Sequence, residues 1–419
     1  MTDAIALLGQ MDGYTLAVAF WHMLIFEVPR YALATVAVVA SQIFSFRRTE
    51  RGLPRLSVSV LLPGHNEAHN LRRSVLSIRE QTVPPTQIVI VDDGSTDPTL
   101  KMARTLAAEG LVDVVLTTHR RSGKSAAANL GLSACTGDII IIADADTTYD
   151  RDAFEKIIME FDSPAVGAVA GDLGVRNPDS TLLTSIQAIQ YLISISLGRR
   201  VSDMFGILYI VSGAFGAFQR EALDSVGGWD VGPGEDADLT MKIRRAGWRV
   251  RFAPDARGLT DVPETLVALV RQRLRWNRSL VRIRMRKFKS ILDPWSSQFS
   301  VQDAIGLIDI LLFQFGLAVS FTVYLIWLVA TYSEFAFVIL AVTTLVYAGV
   351  GTVTFLLASF VCGRPGTAAL FPVAIIYGPF NSYVLRFVRL AAYLQELVFR
   401  RSYSDDYVPS LVRQQTEKF

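Results

Sequence analysis

The sequence predicts an α/β domain set between membrane-spanning helices, and three observations carry that prediction. Apolar residues make up 51% of this 419-residue chain, yet they crowd before residue 46 and after residue 303. Between those regions, short apolar runs alternate with stretches of helical spacing. Polar or acidic clusters stand at the ends of three of those runs: Pro63-Gly64-His65-Asn66-Glu67, Asp92-Asp93-Gly94-Ser95 and Asp144-Ala145-Asp146.

Residues 14–46 are mostly apolar, interrupted by Glu27, Pro29 and Arg30. A bilayer core of about 30 Å takes about 20 helical residues, so this stretch supplies one kinked or tilted span. Arg47, Arg48, Arg51 and Arg55 follow it, and arginines beside a span mark the cytoplasmic side. The expected layout is an outer N-terminus and an inner central domain. Asp3 and Asp12 stand where an export leader carries basic residues, so no cleavable leader is expected. Cys135 and Cys362 are far apart and lack metal-ligand company, which fits a reducing cytosol. The net charge of +2 says little about partners.

The alternating region begins at Ser57. Residues 57–62 read as a strand, and 67–80 as a helix through Leu71, Val75 and Ile78. Residues 87–91 form a second strand, and Asp97 caps a helix that starts at Pro98. Residues 112–116 are a third strand, 124–133 a helix, and the isoleucine run 139–143 a fourth strand. This alternation implies a parallel, doubly wound sheet with ligands at the carboxyl ends of its strands.

Residues 181–197 suit a core helix and a membrane-surface helix alike. Residues 265–292 contain nine basic residues and no acidic one. Leu266, Val270, Leu274, Val281, Met285 and Phe288 recur along one helical face, as in a helix lying in the headgroup plane. Nucleic-acid binding would not explain why spans follow so soon. Residues 304–331 and 335–361 are expected spans. Residues 368–385, with Pro372, Pro379 and Asn381, fit a span, a broken helix or a re-entrant piece. Three such spans would leave the C-terminus outside, whereas Arg386, Arg389, Arg400 and Arg401 favour the inside. The expected domains are a membrane segment (1–50), a cytosolic domain (51–260), interfacial helices (261–300) and a C-terminal membrane region (301–419).

A lone Asp-x-Asp is most often a solvated turn. After an apolar strand, Asp144 and Asp146 instead suit Mg²⁺ or Mn²⁺, hard ions that also bind substrate phosphates. Asp93 can accept hydrogen bonds from a uracil imide or ribose. The neighbouring strand end, with Pro63, Asn66 and Glu67, completes a nucleoside pocket. Lys124 opens a helix after Gly123, a favourable anion site that lacks P-loop spacing. Asp236, in Gly234-Glu235-Asp236, reads as a helix cap or as the general base that deprotonates an acceptor hydroxyl. In Gln272-Arg273-Leu274-Arg275-Trp276, Arg275 can bind a diphosphate and Trp276 can offer a ring face to a sugar. An indole at a membrane interface is common on its own.

In this order, the motifs resemble the processive membrane-bound members of glycosyltransferase family 2, such as cellulose, chitin-oligosaccharide, hyaluronan and poly-N-acetylglucosamine synthases. The likeness covers residues 57–278, and the membrane layout extends it. It implies a nucleotide-sugar-binding domain of the glycosyltransferase A type, inserted between transmembrane helices and followed by amphipathic interfacial helices. It assigns Asp93 to the nucleoside, Asp144 to the nucleotide, Asp146 to the metal and Asp236 to base catalysis. It makes Gln272, Arg275 and Trp276 a gate over diphosphate and acceptor, and Ser212 and Gly213 part of an acceptor loop. The run from Ser122 to Asn129, with Asp146-Thr147, is most similar to the poly-N-acetylglucosamine branch. Asn277-Arg278-Ser279 departs from the pattern, where a glycine is common at the third place.

The implied activity is inverting polymerisation of a UDP-sugar, with UDP-N-acetylglucosamine ahead of UDP-glucose. The implied partners are donor, growing glycan, membrane lipid and an export partner, with no nucleic acid. The implied location is the inner (plasma) membrane. Single-sugar transfer to a lipid phosphate carrier, and a non-catalytic scaffold or transporter, are the competing readings.

Overall fold

The structure, a computed structural model, describes residues 12–45, 56–295 and 299–404, with positions 409, 410 and 414. Asp3, Arg47, Arg48, Arg51 and Arg55 lie outside the described residues. Four strands, β1 (Val58–Gly64), β2 (Gln87–Asp92), β3 (Val114–Thr117) and β4 (Ile139–Ala143), pair in parallel in the order β3-β2-β1-β4. Four more extend the sheet: β5 (Thr148–Tyr149), β6 (Val166–Val175), β7 (Phe215–Gln219) and β8 (Arg249–Thr260). The full order is β3-β2-β1-β4-β7-β6-β8-β5.

The parallel sheet expected from the sequence holds for β1–β4 and is corrected beyond them. β7 runs antiparallel to both β4 and β6, and β5 runs antiparallel to β8. β6 and β8 are long, and their pairing shifts register twice. Gly171, Gly174 and Gly258 interrupt their apolar runs, so neither announces itself by periodicity.

Both faces of the parallel half are covered, as crossover helices demand. Val60, Leu62, Ile88, Ile90, Ile139 and Ile141 face one buried layer, together with Leu71, Val75 and Ile78 of the helix Ala68–Arg79. Leu61, Val89, Val91, Ile140 and Ile142 face the other, against Ala127, Ala128, Leu239 and Ile243. The period of two sends alternate side chains to opposite layers.

Three described helices are long and apolar enough to cross a membrane: Met23–Ala40, Leu317–Cys362 and Thr367–Phe399. The second breaks at Ser333, whose φ is 50°, into the arms Leu317–Tyr332 and Ala336–Cys362. The third runs past Leu385, where the sequence had suggested an end. Pro372 occupies the first turn, and a π-turn at Asn381–Leu385 absorbs the backbone disruption from Pro379. Gly351 and Gly378 let these helices touch: a Cβ on Gly378 would sit 1.9 Å from the Tyr347 carbonyl oxygen.

The N-terminal helix is tied in by charge. Arg386 Nη2 lies 2.5 Å from Glu27 Oε1, the Tyr347 hydroxyl donates to the same oxygen at 2.9 Å, and all three residues are buried. The sheet is tied to the same bundle. Arg364, after the helix ending at Cys362, pairs with buried Asp172 of β6 at 2.7 Å. Ile186, Ile189 and Leu192 pack against Val38, Phe355 and Tyr377. One face of the segment 181–197 is thus buried against helices of membrane-spanning character.

Candidate active site

The carboxyl ends of β2, β1 and β4 lie side by side in the sheet. β4 ends at Ala143 and delivers Asp144 and Asp146 on either side of buried Ala145. Lys124 opens its helix on the neighbouring layer, and its Nζ lies 2.6 Å from Asp144 Oδ1 and 3.9 Å from Glu235 Oε1. Burial opposes the ammonium charge, but Asp144, Asp236 and Glu235 outweigh it and hold the Lys124 pKa well above its usual value.

Asp236 sits within the first turn of the helix Glu235–Arg245 rather than at its cap. Burial and the adjacent Glu235 charge push the Asp236 carboxyl up to about 7, against the pull of Lys124 and the Gly213 N–H. Gly213 lies between the two: a Cβ there would stand 2.6 Å from Lys124 Nζ and 2.7 Å from Asp236 Oδ1. Thr240 fixes this arrangement. Its hydroxyl donates to the Asp236 carbonyl at 2.7 Å and accepts from the Val211 N–H at 2.9 Å. Tyr149 donates to the Ala214 carbonyl at 2.8 Å, holding the loop from beneath. Ser212 Oγ faces inward, accepting from the Ala214 N–H at 3.3 Å.

Asp146 Oδ1 accepts from the Thr147 hydroxyl at 3.1 Å, and Arg176 reaches its carbonyl. Burial and then Asp144 raise the Asp146 pKa. Burial also raises Glu67, with Asp146 and Asp144 adding to the effect. This oxygen-only set fits a hard divalent cation in chemistry. Among the described residues, no three His, Cys, Asp or Glu side chains gather closely enough to hold a metal alone. Substrate oxygens must complete any coordination shell, which is the usual pattern for Mg²⁺.

The nucleoside candidates gather at the ends of β1 and β2. Asp93 is buried, and its carboxylate accepts from the Ser122 N–H at 2.7 Å, the Gly123 N–H at 2.8 Å and the Thr118 hydroxyl at 3.0 Å. Asn66 bridges the strand ends, accepting from the Thr96 N–H at 2.9 Å while its own N–H donates to Ser95 Oγ at 2.9 Å. Pro63 is buried within β1, opposite Val91.

Gln272, Arg275 and Trp276 lie on the helix Leu266–Arg282. Leu269, Arg273, Ser279, Val281 and Arg282 are its buried residues, and Leu266 is exposed. Arg273 donates to Gln190 Oε1 at 2.8 Å and sits 4.2 Å over the Trp276 ring. Trp276 keeps 39% of its surface exposed. One turn further on, Ser279 and Ile283 lie against Gly234, two residues before Asp236. The structure therefore brings Lys124, Asp144, Asp146, Gly213 and Asp236 into one cleft. It sets the Trp276 helix beside them, with no hydrogen bond from Trp276 to those carboxylates among the described residues. The sequence reading missed Arg176, Gln190 and Arg273. Arg273 lies inside the singled-out motif; the other two carry no local signal.

Residues 59–227 match the family model for glycosyl transferase family 2. The poly-β-1,6-N-acetyl-D-glucosamine synthase of Staphylococcus aureus is 30% identical over 237 residues, covering 56% of this chain and 57% of that protein. Its counterpart in Staphylococcus epidermidis is 31% identical over 237 residues. The chain spans 57% of the length of these curated relatives. A mannosyltransferase from Pyrobaculum calidifontis, solved with GDP-Man and Mn²⁺, shares the fold with a TM-score of 0.61. That match covers 95% of this chain and 98% of the other at 22% identity.

Proposed function

We propose that this chain, whose residues 59–227 match the family model for glycosyl transferase family 2, is a processive, inverting β-glycosyltransferase that polymerises a UDP-sugar at a membrane. UDP-N-acetylglucosamine is the favoured donor and UDP-glucose the next. One observation carries the reading. Lys124, Asp144 and Asp236 converge around Gly213, and the helix bearing Trp276 packs against the loop before Asp236.

The chemistry follows from that geometry. Asp236, with a pKa of about 7, is a base matched to neutral pH. It takes the proton from an acceptor hydroxyl as the oxygen attacks the anomeric carbon. The bond to the diphosphate breaks with its electron pair, and the anomeric centre inverts. Arg275 and Lys124 offset charge on the departing UDP. Asp146, with Asp144 beside it, would hold Mg²⁺ or Mn²⁺, which supplies a further counter-charge to the diphosphate. Asp93 and the strand ends around Pro63, Asn66 and Glu67 face the nucleoside. Trp276, Gln272 and Ser212 face the acceptor sugar.

The homology to poly-β-1,6-N-acetyl-D-glucosamine synthases supports the donor and the polymer product. The apolar helices support association with a membrane; an inner-membrane enzyme with a cytosolic catalytic domain that passes its glycan outward is part of the proposal. The test is a panel of labelled UDP-sugars with Mn²⁺ or Mg²⁺, with the products sized. A ladder or polymer from UDP-N-acetylglucosamine is expected. A single labelled sugar on a lipid phosphate would replace this reading with carrier glycosylation, and no UDP release from any donor would end it.

A further inference from the structure

The loop before Asp236 is held by the helix that carries Trp276. Gly232 and Gly234 adopt φ of 140° and 82°, and Pro233 between them has no N–H to donate. The Pro233 carbonyl accepts from Arg282 Nη1 at 2.9 Å in a buried setting. A Cβ on Gly232 would stand 2.8 Å from Arg282 Nη2, and one on Gly234 would stand 2.7 Å from Ile283 Cδ1. The guanidinium thus lies flush on the loop backbone. Its carbon lies 5.3 Å from the centre of the Tyr403 ring, supplied by the C-terminal turn Arg401–Ser404.

Arg282 is 4% exposed, pairs with no carboxylate among the described residues, and leaves its Nε without a partner. Burying such a charge carries a desolvation penalty. An apolar residue would fill the space at lower cost but could not bond the carbonyl. Lys287, five residues on, grips the other side of the same loop. Its Nζ lies 2.6 Å from Asp230 Oδ2 and 2.7 Å from Asp238 Oδ1. Asp230 and Asp238 bracket Asp236, so both ends of the segment hang from one stretch of chain.

We propose that Arg282, backed by Tyr403, is a positioning residue for Asp236: it locks the Gly232–Pro233–Gly234 backbone so that base and Trp276 helix move as one body. This rests on the reading of Asp236 as the base. Among the described residues, the charges that act most on Asp236 are Glu235, Lys124 and Asp144, and Arg199 lies within its field. Arg282 bonds the Pro233 carbonyl, so its hold on Asp236 runs through the backbone.

Arg282→Lys keeps the charge but loses the planar fork and the stacking face. Full-length protein in detergent or nanodiscs, given labelled UDP-N-acetylglucosamine, reads the effect. The variant should lose kcat on the order of 10- to 100-fold, as misplacement of a catalytic group by about 1 Å does. KM for the donor and UDP affinity should stay within twofold, and the acidic limb of the kcat–pH profile should move. Tyr403→Leu should shift kcat and the limb in the same direction by less, which guards against a variant that fails to fold. Wild-type kcat and pH profile in folded Arg282→Lys would overturn the inference. A parallel fall of kcat, UDP affinity and thermal stability would overturn it too, by making the role merely structural. If wild-type protein transfers no sugar, the underlying reading fails instead.

Discussion

Lys124 Nζ stands 2.6 Å from Asp144 Oδ1, and a Cβ on Gly213 would touch both that ammonium and Asp236. One cation therefore stands between the carboxylates proposed for the donor side and the acceptor side. Lys124 holds down the Asp236 pKa, so Lys124→Gln should move the acidic limb of the kcat–pH profile to higher pH and weaken UDP binding. An unchanged limb, measured by initial rates across pH 5.5–9, would separate Lys124 from the base.

The Asp236 carboxyl, pushed up to about 7 by burial and Glu235, sets two pH dependences with opposite signs. A general base acts in its charged form, so under the proposed role kcat should fall about tenfold per pH unit below that value. Stability runs the other way. Between the ordinary value of 3.8 and about 7 the folded chain binds the proton that the unfolded chain has released. Folding stability is then lost as pH rises through that window. Asp236→Asn should raise Tm at pH 8 by a few degrees while abolishing transfer. A lower Tm for the variant at pH 8 would reject the buried-charge account.

Trp276 is 39% exposed and rests on Arg273 at 4.2 Å. Stacking on an aromatic face contributes about 1 kcal/mol. Trp276→Ala should cut chain elongation about five- to tenfold while donor hydrolysis changes less, and Trp276→Phe should recover most of the loss. Equal loss of both activities would argue against acceptor stacking.

Glu27 and Arg386 are 359 residues apart and form a buried pair that Tyr347 completes. Removing one member of such a pair strands the other and costs about 3–5 kcal/mol. Arg386→Leu should therefore destabilise the detergent-solubilised protein sharply, and Glu27→Leu with Arg386→Leu should recover much of the loss. Equal thermal stability of the single and double variants would show that the two charges are not coupled.

The acidic cleft was legible because strand ends and helix starts leave local marks. The isoleucine run before Asp144 and the glycine before Glu235 set those carboxylates apart from ordinary turn acids. The parallel half of the sheet was legible for the same reason, through short runs with two-residue alternation. β6 and β8 were not, since Gly171, Gly174 and Gly258 and two register shifts blur their periodicity. Arg273 and Arg282 read as part of the basic face of a helix lying in the headgroup plane, because charge on such a helix normally faces water or headgroups. Their inward partners, Gln190 and the Pro233 carbonyl, are more than forty residues away. Pro379 hid the length of the last apolar helix, since a π-turn repairs what a proline normally ends.

The central claim is that Asp236 is the base of a UDP-sugar polymerase. The most direct measurement compares polymer formation and UDP binding in wild-type protein and Asp236→Asn, with UDP-N-acetylglucosamine and Mn²⁺. The account predicts polymer from the wild type, none from the variant, and UDP affinity unchanged within twofold. Polymer made by Asp236→Asn at the wild-type rate would contradict it.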